Sequence, residues 1–454
     1  MSLRSIVKKL IPTGLFAAIE PYGHLGEAVL FNVLNGFPSR GLKVIGVTGT
    51  NGKTTTSFLI HRMLVEAGYD TGLMTTVAYG VNNDIKPQVQ HMTSVDVPTL
   101  MKRLKEMKRE GAEWLVLETT SHALAQHRVW GVPYSVAVLT NLTHEHLDYH
   151  RTFERYRDAK RMMFKQANRN RRGFRTGVVN AEDPSADFFA GDVKRAIRYG
   201  VKEGDLRASK VRLGADGVEY DVEVQGEKLH IRCRLPGSFN VYNSLAAVGV
   251  GQVVGLSGKQ IEQGIAALDG VEGRMTHLDE GQGFDVIVDY AHTPDSFEKL
   301  FKDFRPVVKG KLIVMFGSAG RRDEEKRGTQ GQLAGKYADE VVVTEEDDRD
   351  IDGLEIMDQI AAGAEKTGKV RDKDLFLVHD RAEAIQLALK RAGKGDVVLL
   401  LGKGHEKDIL RNGPKAAELR HLQQDDHNPE RVREDPWDEL DTARKSLRRL
   451  TKKS

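Results

Sequence analysis

The sequence predicts an α/β protein of two successive units, each a largely parallel sheet with helices on its faces. Three observations predict it. Short apolar runs alternate with helical stretches, a Gly-rich turn joins the first such run to a helix, and the alternation restarts near Gly273. Apolar runs of this length are what strands buried on both faces look like, and the intervening helices are the crossovers that parallel strands need. At 454 residues the chain is also too long for one ordinary core.

Taken in order, residues 1–42 mix apolar and basic positions. They read as one or two short helices over Leu15–Leu34, broken near Pro21 and Gly23 and ending at Gly36-Phe37-Pro38. Their apolar faces are expected to pack on the following domain, with a membrane-surface contact as the alternative. A central domain is expected over residues 43–270. Its strands are Val44–Val47, Trp114–Leu117 and Ser135–Leu139, and its helices are Thr54–Ala67, closed by Gly68, and Pro98–Arg109. Residues 206–235 alternate instead like antiparallel strands with a turn near Gly214–Gly217. A C-terminal domain is expected over 271–422, with strands Val286–Val288, Leu312–Met315, Val341–Val343 and Val397–Leu401. The tail, 423–454, is charged and carries two prolines, and Trp437–Leu450 reads as a basic terminal helix.

Composition excludes several classes. A net charge of +3 is too small to point to nucleic acid. The single cysteine, Cys233, rules out an internal disulfide and fits a reducing compartment. No apolar run reaches membrane-spanning length, and Met1–Leu10 lacks a signal-peptide core and cleavage site, so a cytoplasmic location is expected.

The strongest chemical signal is Gly49-Thr50-Asn51-Gly52-Lys53-Thr54-Thr55, between a buried strand and a helix. Its glycines let backbone N–H groups turn toward a phosphate, and the helix N-terminus adds partial positive charge. Lys53 can reach β- and γ-phosphates, and the Thr54 hydroxyl can ligate Mg²⁺. The general P-loop pattern has glycine where this chain has Val47. The strand–loop–helix setting still reads as a central P-loop ATPase domain with ATP and Mg²⁺ as cofactors.

The T-G-T-N-G-K-T variant is the one used by Mur ligases and folylpolyglutamate synthetases. Further segments follow in the same order as in Mur ligases of the MurE type. They are Leu117–Leu124, Thr140–His150, Ala159-Lys160, Val179–Asp183, Gly237–Asn243, Gly273-Arg274-Met275, Val288–Asp295 and Gly402–Glu406. The chain resembles that family from about residue 43 to 410. The resemblance implies an ATP-dependent ligase that joins a carboxylate to an amine through an acyl phosphate and adds a diamino acid to a muramoyl-peptide precursor in peptidoglycan synthesis. It implies a dinucleotide-binding-like C-terminal α/β domain, with ATP between the domains. By resemblance Glu118 and His146 bind metal, and Lys160 carries a carbamate that binds a second ion. His144 and His150 are expected to be structural. Asn243, Asp289, Tyr290 and His292 are expected to hold adenine and ribose, and Arg274 to reach ATP. Thr93, Thr120, Gln126 and Arg128 match contacts to the sugar-peptide substrate. Asp347, Arg349 and Glu406 match contacts to the incoming amino acid.

Two departures stand out. Only residues 1–42 precede the phosphate loop, too few for the N-terminal uridine-diphosphate domain of full-length relatives, so weak binding of free UDP is expected. Diaminopimelate-adding members have Asp-Asn-Pro-Arg where this chain reads Glu346-Asp347-Asp348-Arg349. The added aspartates are expected to attract a distal ammonium unless they simply face solvent, which gives meso-diaminopimelate first and L-lysine second. The rival readings are a folylpolyglutamate-synthetase-like ligase, a subunit of a cell-wall-precursor amidating complex, and a non-catalytic ATP-binding regulator. The expected partners are small molecules, with a protein partner left open.

Overall fold

The computed structural model describes residues 13–88, 94–143, 145, 147–214, 216–321, 323–419 and 429–451. Contacts divide the chain into two compact units, Met1–Arg234 with Phe239–Asp269, and Leu235–Ser238 with Gly270–Ser454.

The first unit is built on strands β1 (Lys43–Thr48), β2 (Thr71–Met74), β3 (Ala78–Val81), β4 (Asp84–Pro87), β5 (Trp114–Glu118), β6 (Tyr134–Leu139), β7 (Thr176–Asn180), β8 (Arg195–Gly200) and β9 (Leu206–Arg207). They form one sheet in the order β4-β3-β2-β5-β1-β6-β7-β8-β9. It is parallel from β2 to β9, and the hairpin β3–β4 adds two antiparallel strands at one edge. β1 lies in the middle, and its Val44, Ile45 and Val47 are fully buried. The carboxyl ends of β1, β5 and β6 therefore open side by side, where parallel sheets place ligand-binding loops. Strands β10 (Ser209–Gly214), β11 (Gly217–Val224) and β12 (Glu227–Cys233) form a separate antiparallel sheet, turning at Gly214 and Gly217 as the alternation predicts.

Helix Phe153–Arg169 lies against β6, and its Met163 fills the space that Gly46 of β1 leaves open. A Cβ on Gly46 would lie 2.5 Å from Met163 Sδ and 2.6 Å from the Tyr134 ring. This packing carries Lys160, on the same helix, to the first turn of the phosphate loop.

The N-terminal reading needs correction. A single helix, Thr13–Leu34, runs through Pro21 and Gly23 without a break. Its later turns are held from outside: Ala28 is in the core, and the Asn32 amide, besides bonding Ala28 O one turn back (2.9 Å), donates to Trp130 O (3.0 Å). Packing of this kind outweighs local helix propensity. Leu30, Val33 and Leu34 stay exposed. Among the described residues no helix is long and apolar enough to cross a membrane.

The second unit contains β13 (Thr276–Leu278), β14 (Asp285–Asp289), β15 (Leu312–Phe316), β16 (Glu340–Val343), β17 (Leu375–Leu377) and β18 (Val397–Leu401), in the order β13-β14-β18-β15-β16-β17. All pairs are parallel except β13–β14. Beyond it, β19 (Asp408–Asn412) and β20 (Val432–Pro436) form an antiparallel ribbon. The terminal helix is Glu439–Thr451, and its Leu440, Ala443 and Leu447 complete this unit's core. A stretch that reads as a charged tail thus ends as structural wall.

Gly46→Val should cost about 1–3 kcal/mol by overpacking against the Tyr134 ring and Met163. Urea denaturation checks this; an unchanged midpoint would show that the helix does not depend on that packing.

Candidate active site

The phosphate loop is moulded by the residues that follow β6. Thr50 N–H donates to Asn141 O (2.8 Å) and Asn51 N–H to Asn141 Oδ1 (2.9 Å). Asn51 O accepts from Thr140 Oγ1 (2.6 Å) and Asn141 Nδ2 (3.0 Å). Gly49 sits at φ +150° with Thr140 and Asn141 against it, and Gly52, at φ +81°, caps helix Lys53–Glu66. A side chain on Gly52 would strike Asn243 Oδ1. Asn243 is buried there, accepting from Thr56 Oγ1 (3.3 Å) and donating to Asn240 Oδ1 (2.8 Å). Thr55 is buried on the first turn.

Charges converge on this loop. Lys53 Nζ donates to Thr50 O (2.7 Å), and Lys160 Nζ donates to Gly49 O (2.6 Å). Burial, followed by repulsion from Lys53, holds the Lys160 pKa well below the ordinary lysine value. Glu118, 2% exposed at the end of β5, accepts from Thr54 Oγ1, Thr76 N–H and Thr76 Oγ1, each at 3.0 Å. A buried carboxylate beside a hydroxyl is an oxygen set that suits Mg²⁺. Tyr156, one turn before Lys160, places its ring 4.6 Å from Lys160 Nζ and its hydroxyl 3.0 Å from Thr50 Oγ1. His150 is buried and bonds Ser121 Oγ through Nε2 (2.9 Å). His146, His144 and Thr93 lie outside the described residues.

Of the residues matched to the sugar-peptide substrate, Thr120 and Arg128 meet at Ser94. Thr120 Oγ1 lies 3.1 Å from Ser94 Oγ, and Arg128 Nη1 donates to Ser94 O. Gln126 ends helix Ser121–Ala125, half-buried.

In the second unit a cluster gathers at the carboxyl ends of β14, β16 and β18. Asp289 accepts from Met275 N–H and Ala291 N–H, both at 2.8 Å, and its pKa is raised by burial against the pull of Arg274. The Arg274 guanidinium lies 4.5 Å from the Tyr290 ring centre. His292 Nδ1 is 2.8 Å from Tyr290 O, and the Tyr290 hydroxyl donates to Glu406 Oε1 (3.1 Å). Burial, with Arg274 and Lys403 nearby, holds His405 well below the usual histidine range.

The loop after β16 corrects both expectations for its aspartates. Residues Thr344 to Asp350 are all buried, so neither Asp347 nor Asp348 faces solvent. Neither offers an uncompensated charge. Asp347 accepts from Lys403 Nζ and Leu410 N–H (both 2.9 Å), and Lys403 also pairs with Glu406 (2.6 Å). Asp348 pairs with His379 Nε2 (2.8 Å). Arg349 donates to Gly320 O (3.0 Å) and Asp347 O (3.3 Å) and lies 3.8 Å from Asp347 Oδ2. Glu345 takes Arg411 through both oxygens (2.5 and 2.8 Å), and Asp350 takes Arg321 and Arg431 (2.8 Å each). Glu346 is 7% exposed, and its Oε2, like Asp348 Oδ1, has no hydrogen-bond partner; it faces Gly402, whose Cβ would sit 2.8 Å away. Glu345, Asp348 and His379 could geometrically hold a metal ion, with ligand atoms within 4.8 Å of one another. Arg411 already holds both Glu345 oxygens, and Asp348 Oδ2 already bonds His379 Nε2.

Sequence reasoning passed over Glu346, Lys403, Thr76, Tyr156, Thr140 and Asn141. Thr140, Asn141, Glu346 and Lys403 lie inside the recognised motifs, which was the available signal. Thr76 and Tyr156 lie outside them, and only the fold brings them to Glu118 and Thr50.

The chain matches the Mur ligase middle domain over residues 47–251 and the Mur ligase, glutamate ligase domain over residues 273–404. It is 39% identical over 445 residues to the UDP-N-acetylmuramyl-tripeptide synthetase of Roseiflexus sp. (strain RS-1), covering 95% of this chain and 83% of that one. It is 38% identical over 405 residues to the UDP-N-acetylmuramoyl-L-alanyl-D-glutamate–2,6-diaminopimelate ligase of Geobacillus thermodenitrificans, covering 88% and 82%. A solved diaminopimelate ligase of that same name superposes with TM-score 0.60 at 27% identity, over 91% of this chain and 79% of that one. Folylpolyglutamate synthase of Mycobacterium tuberculosis superposes with TM-score 0.68 at 16% identity, over 83% and 92%, which is a likeness of fold alone.

Gly49→Ala puts a methyl into Thr140 and Asn141 at a backbone angle that favours glycine, so the loop must deform, at a cost of about 1–3 kcal/mol. Titration with ADP should show binding weakened at least about tenfold, one tenfold step being 1.4 kcal/mol. Unchanged affinity would mean that the loop shape is not what binds phosphate.

Proposed function

The chain belongs to the Mur ligase family, and from that premise we propose that Lys53, Thr54, Glu118 and Lys160 carry an ADP-forming ligation that adds a diamino acid to a muramoyl-peptide precursor. The observation that supports this most directly is the convergence of Lys53 and Lys160 on adjacent carbonyls of one loop, with Glu118 bonded to Thr54 beside them.

The chemistry runs in two steps. The precursor carboxylate attacks the γ-phosphorus of ATP, ADP leaves, and an acyl phosphate forms. The amine then attacks the acyl carbon, phosphate leaves, and the nitrogen sheds a proton. Lys53 places positive charge at the transferring group, where charge spreads in the transition state. Thr54 and Glu118 would hold Mg²⁺, which would supply further neutralisation there.

Lys160 suits a carbamate. Carbon dioxide adds to a neutral amine, and burial next to Lys53 favours the neutral form. The adduct, –NH–COO⁻ plus a released proton, turns a cationic donor into an anionic oxygen ligand. This relieves the repulsion from Lys53 and gives an acceptor for a second metal ion.

For the incoming amino acid, Glu346 is the acid we assign to the ammonium. The other four acids of its loop already hold bases. A buried carboxylate oxygen without a hydrogen-bond partner, as Glu346 Oε2 is, is costly unless a ligand cation completes it. Lys403 aligns Asp347 and Glu406 behind it. This supports a diamino acid over neutral or acidic ones.

Three outcomes test the proposal. Lys53→Ala should abolish amino-acid-dependent ADP release while leaving the unfolding midpoint unchanged; near-normal turnover would mean that this loop is not catalytic. Lys160→Ala should be inactive and partly restored by formate or acetate; an unmodified Lys160 in active, bicarbonate-saturated enzyme, read by intact mass or ¹³C NMR, would exclude the carbamate. Glu346→Gln should raise the KM for the diamino acid at least about tenfold, since one charge-assisted contact is worth roughly 1.5–3 kcal/mol, with the KM for ATP unmoved. Competition among meso-diaminopimelate, L-lysine, L-alanine and D-glutamate checks the class, and preference for alanine or glutamate would overturn it.

A further inference from the structure

We propose that the C-terminal segment beyond the matched family region is part of the amino-acid site. It holds both walls of that site through Arg381, and Glu439 is the positioning residue that fixes Arg381. This rests on the reading that Glu346 and the Gly402–Glu406 turn receive the incoming amino acid.

The family match ends at residue 404, and β19, β20 and helix Glu439–Thr451 follow it. Arg381 and Glu439 are each 0% exposed. The guanidinium meets the carboxylate through two bonds, Nε to Oε2 (2.8 Å) and Nη2 to Oε1 (2.7 Å). Its remaining donors go to backbone: Nη1 to Glu345 O (2.8 Å) and Nη2 to Leu401 O (2.7 Å). Those two carbonyls are the residues just before Glu346 and just before Gly402, the pair that face each other across the unpartnered carboxylate oxygen. One planar group thus sets the spacing of the two segments that flank Glu346. Trp437 Nε1 donates to Glu439 Oε2 (2.7 Å), so Glu439 is itself held.

Stability alone is a poor reason for this pair. Burying two charges costs desolvation that their attraction often fails to recover, and apolar replacements of similar volume are commonly neutral or better. What an apolar pair cannot do is donate to two carbonyls at fixed angles, one in the loop after β16 and one at the end of β18. The same segment meets the acid loop elsewhere too, as in the bond from Leu410 N–H to Asp347 (2.9 Å). Arg431 pairs with Asp350 (2.8 Å), and Asp435 pairs with Arg411 (2.9 Å), which grips Glu345.

The two-step chemistry gives a readout that a merely structural role would not move. Formation of the acyl phosphate, followed as precursor-dependent ATP–ADP exchange without amino acid, does not need the amino-acid site. Glu439→Gln and Trp437→Phe should each raise the KM for the diamino acid, by about tenfold or more for Glu439→Gln given the sensitivity of reaction to small misplacements. Exchange rate and the KM for ATP should stay within about twofold of wild type. Should Glu439→Gln fail to fold, Trp437→Phe and Asp435→Asn, both at partly exposed positions, decide the question. Exchange falling in proportion to ligation, or an unchanged amino-acid KM in folded variants while Glu346→Gln raises it, overturns the inference. An unchanged KM in Glu346→Gln itself overturns the site reading, and the inference with it.

Discussion

Two lysine side chains share one turn of backbone, and the first unit is organised around that constraint. Lys53 and Lys160 donate to the carbonyls of Thr50 and Gly49, which are consecutive residues. Burial, and after it repulsion from Lys53, makes Lys160 give up its proton more readily. The surroundings keep the loop from relaxing away. Thr140 and Asn141 bind its backbone, Tyr156 holds Thr50, and Met163 of the lysine-bearing helix fills the space that Gly46 leaves open. A loop so braced suits an anion, because Lys53 and the N-terminus of its helix are already in place.

The second unit solves a problem of opposite sign. Glu345, Glu346, Asp347, Asp348 and Asp350 fall within six residues and are all buried. Left alone they would repel one another and lift their own pKa values, as burial does to Asp348. Each of four meets a base from another part of the fold: Arg411 from β19, Lys403 after β18, His379 after β17, and Arg321 with Arg431 from the turns flanking β15 and β20. The exception, Glu346, stands where the parallel strands end. The two units thus differ in sign: one gathers two lysines at a single loop, and the other buries five acids of which four meet bases.

The departure from the family motif gains meaning in this setting. Aspartate in place of asparagine at 347 comes with Lys403 2.9 Å away, so the added charge is absorbed inside the protein. Asp348, where relatives carry proline, is absorbed by His379. Counting charges along the loop therefore overstates what a ligand meets.

Local pattern was enough for much of this protein. Apolar runs located β1, β5, β6, β14, β15, β16 and β18 to within a residue or two, because a strand buried on both faces leaves no room for polar residues. The Gly-Thr-Asn-Gly-Lys-Thr turn declared its own chemistry, since the glycines and the lysine act within one loop. The continuity of the first helix through Pro21, and the packing of the terminal helix into the core, were not legible, because partners distant in sequence stabilise them. The same reason applies to the site. Lys160 is 111 residues from Gly49, and Lys403 is 56 from Asp347. Sequence determined which charged groups exist and which loop offers its backbone to phosphate. Only the tertiary structure decided which charges cancel, because cancellation falls off with separation in space and is indifferent to separation along the chain.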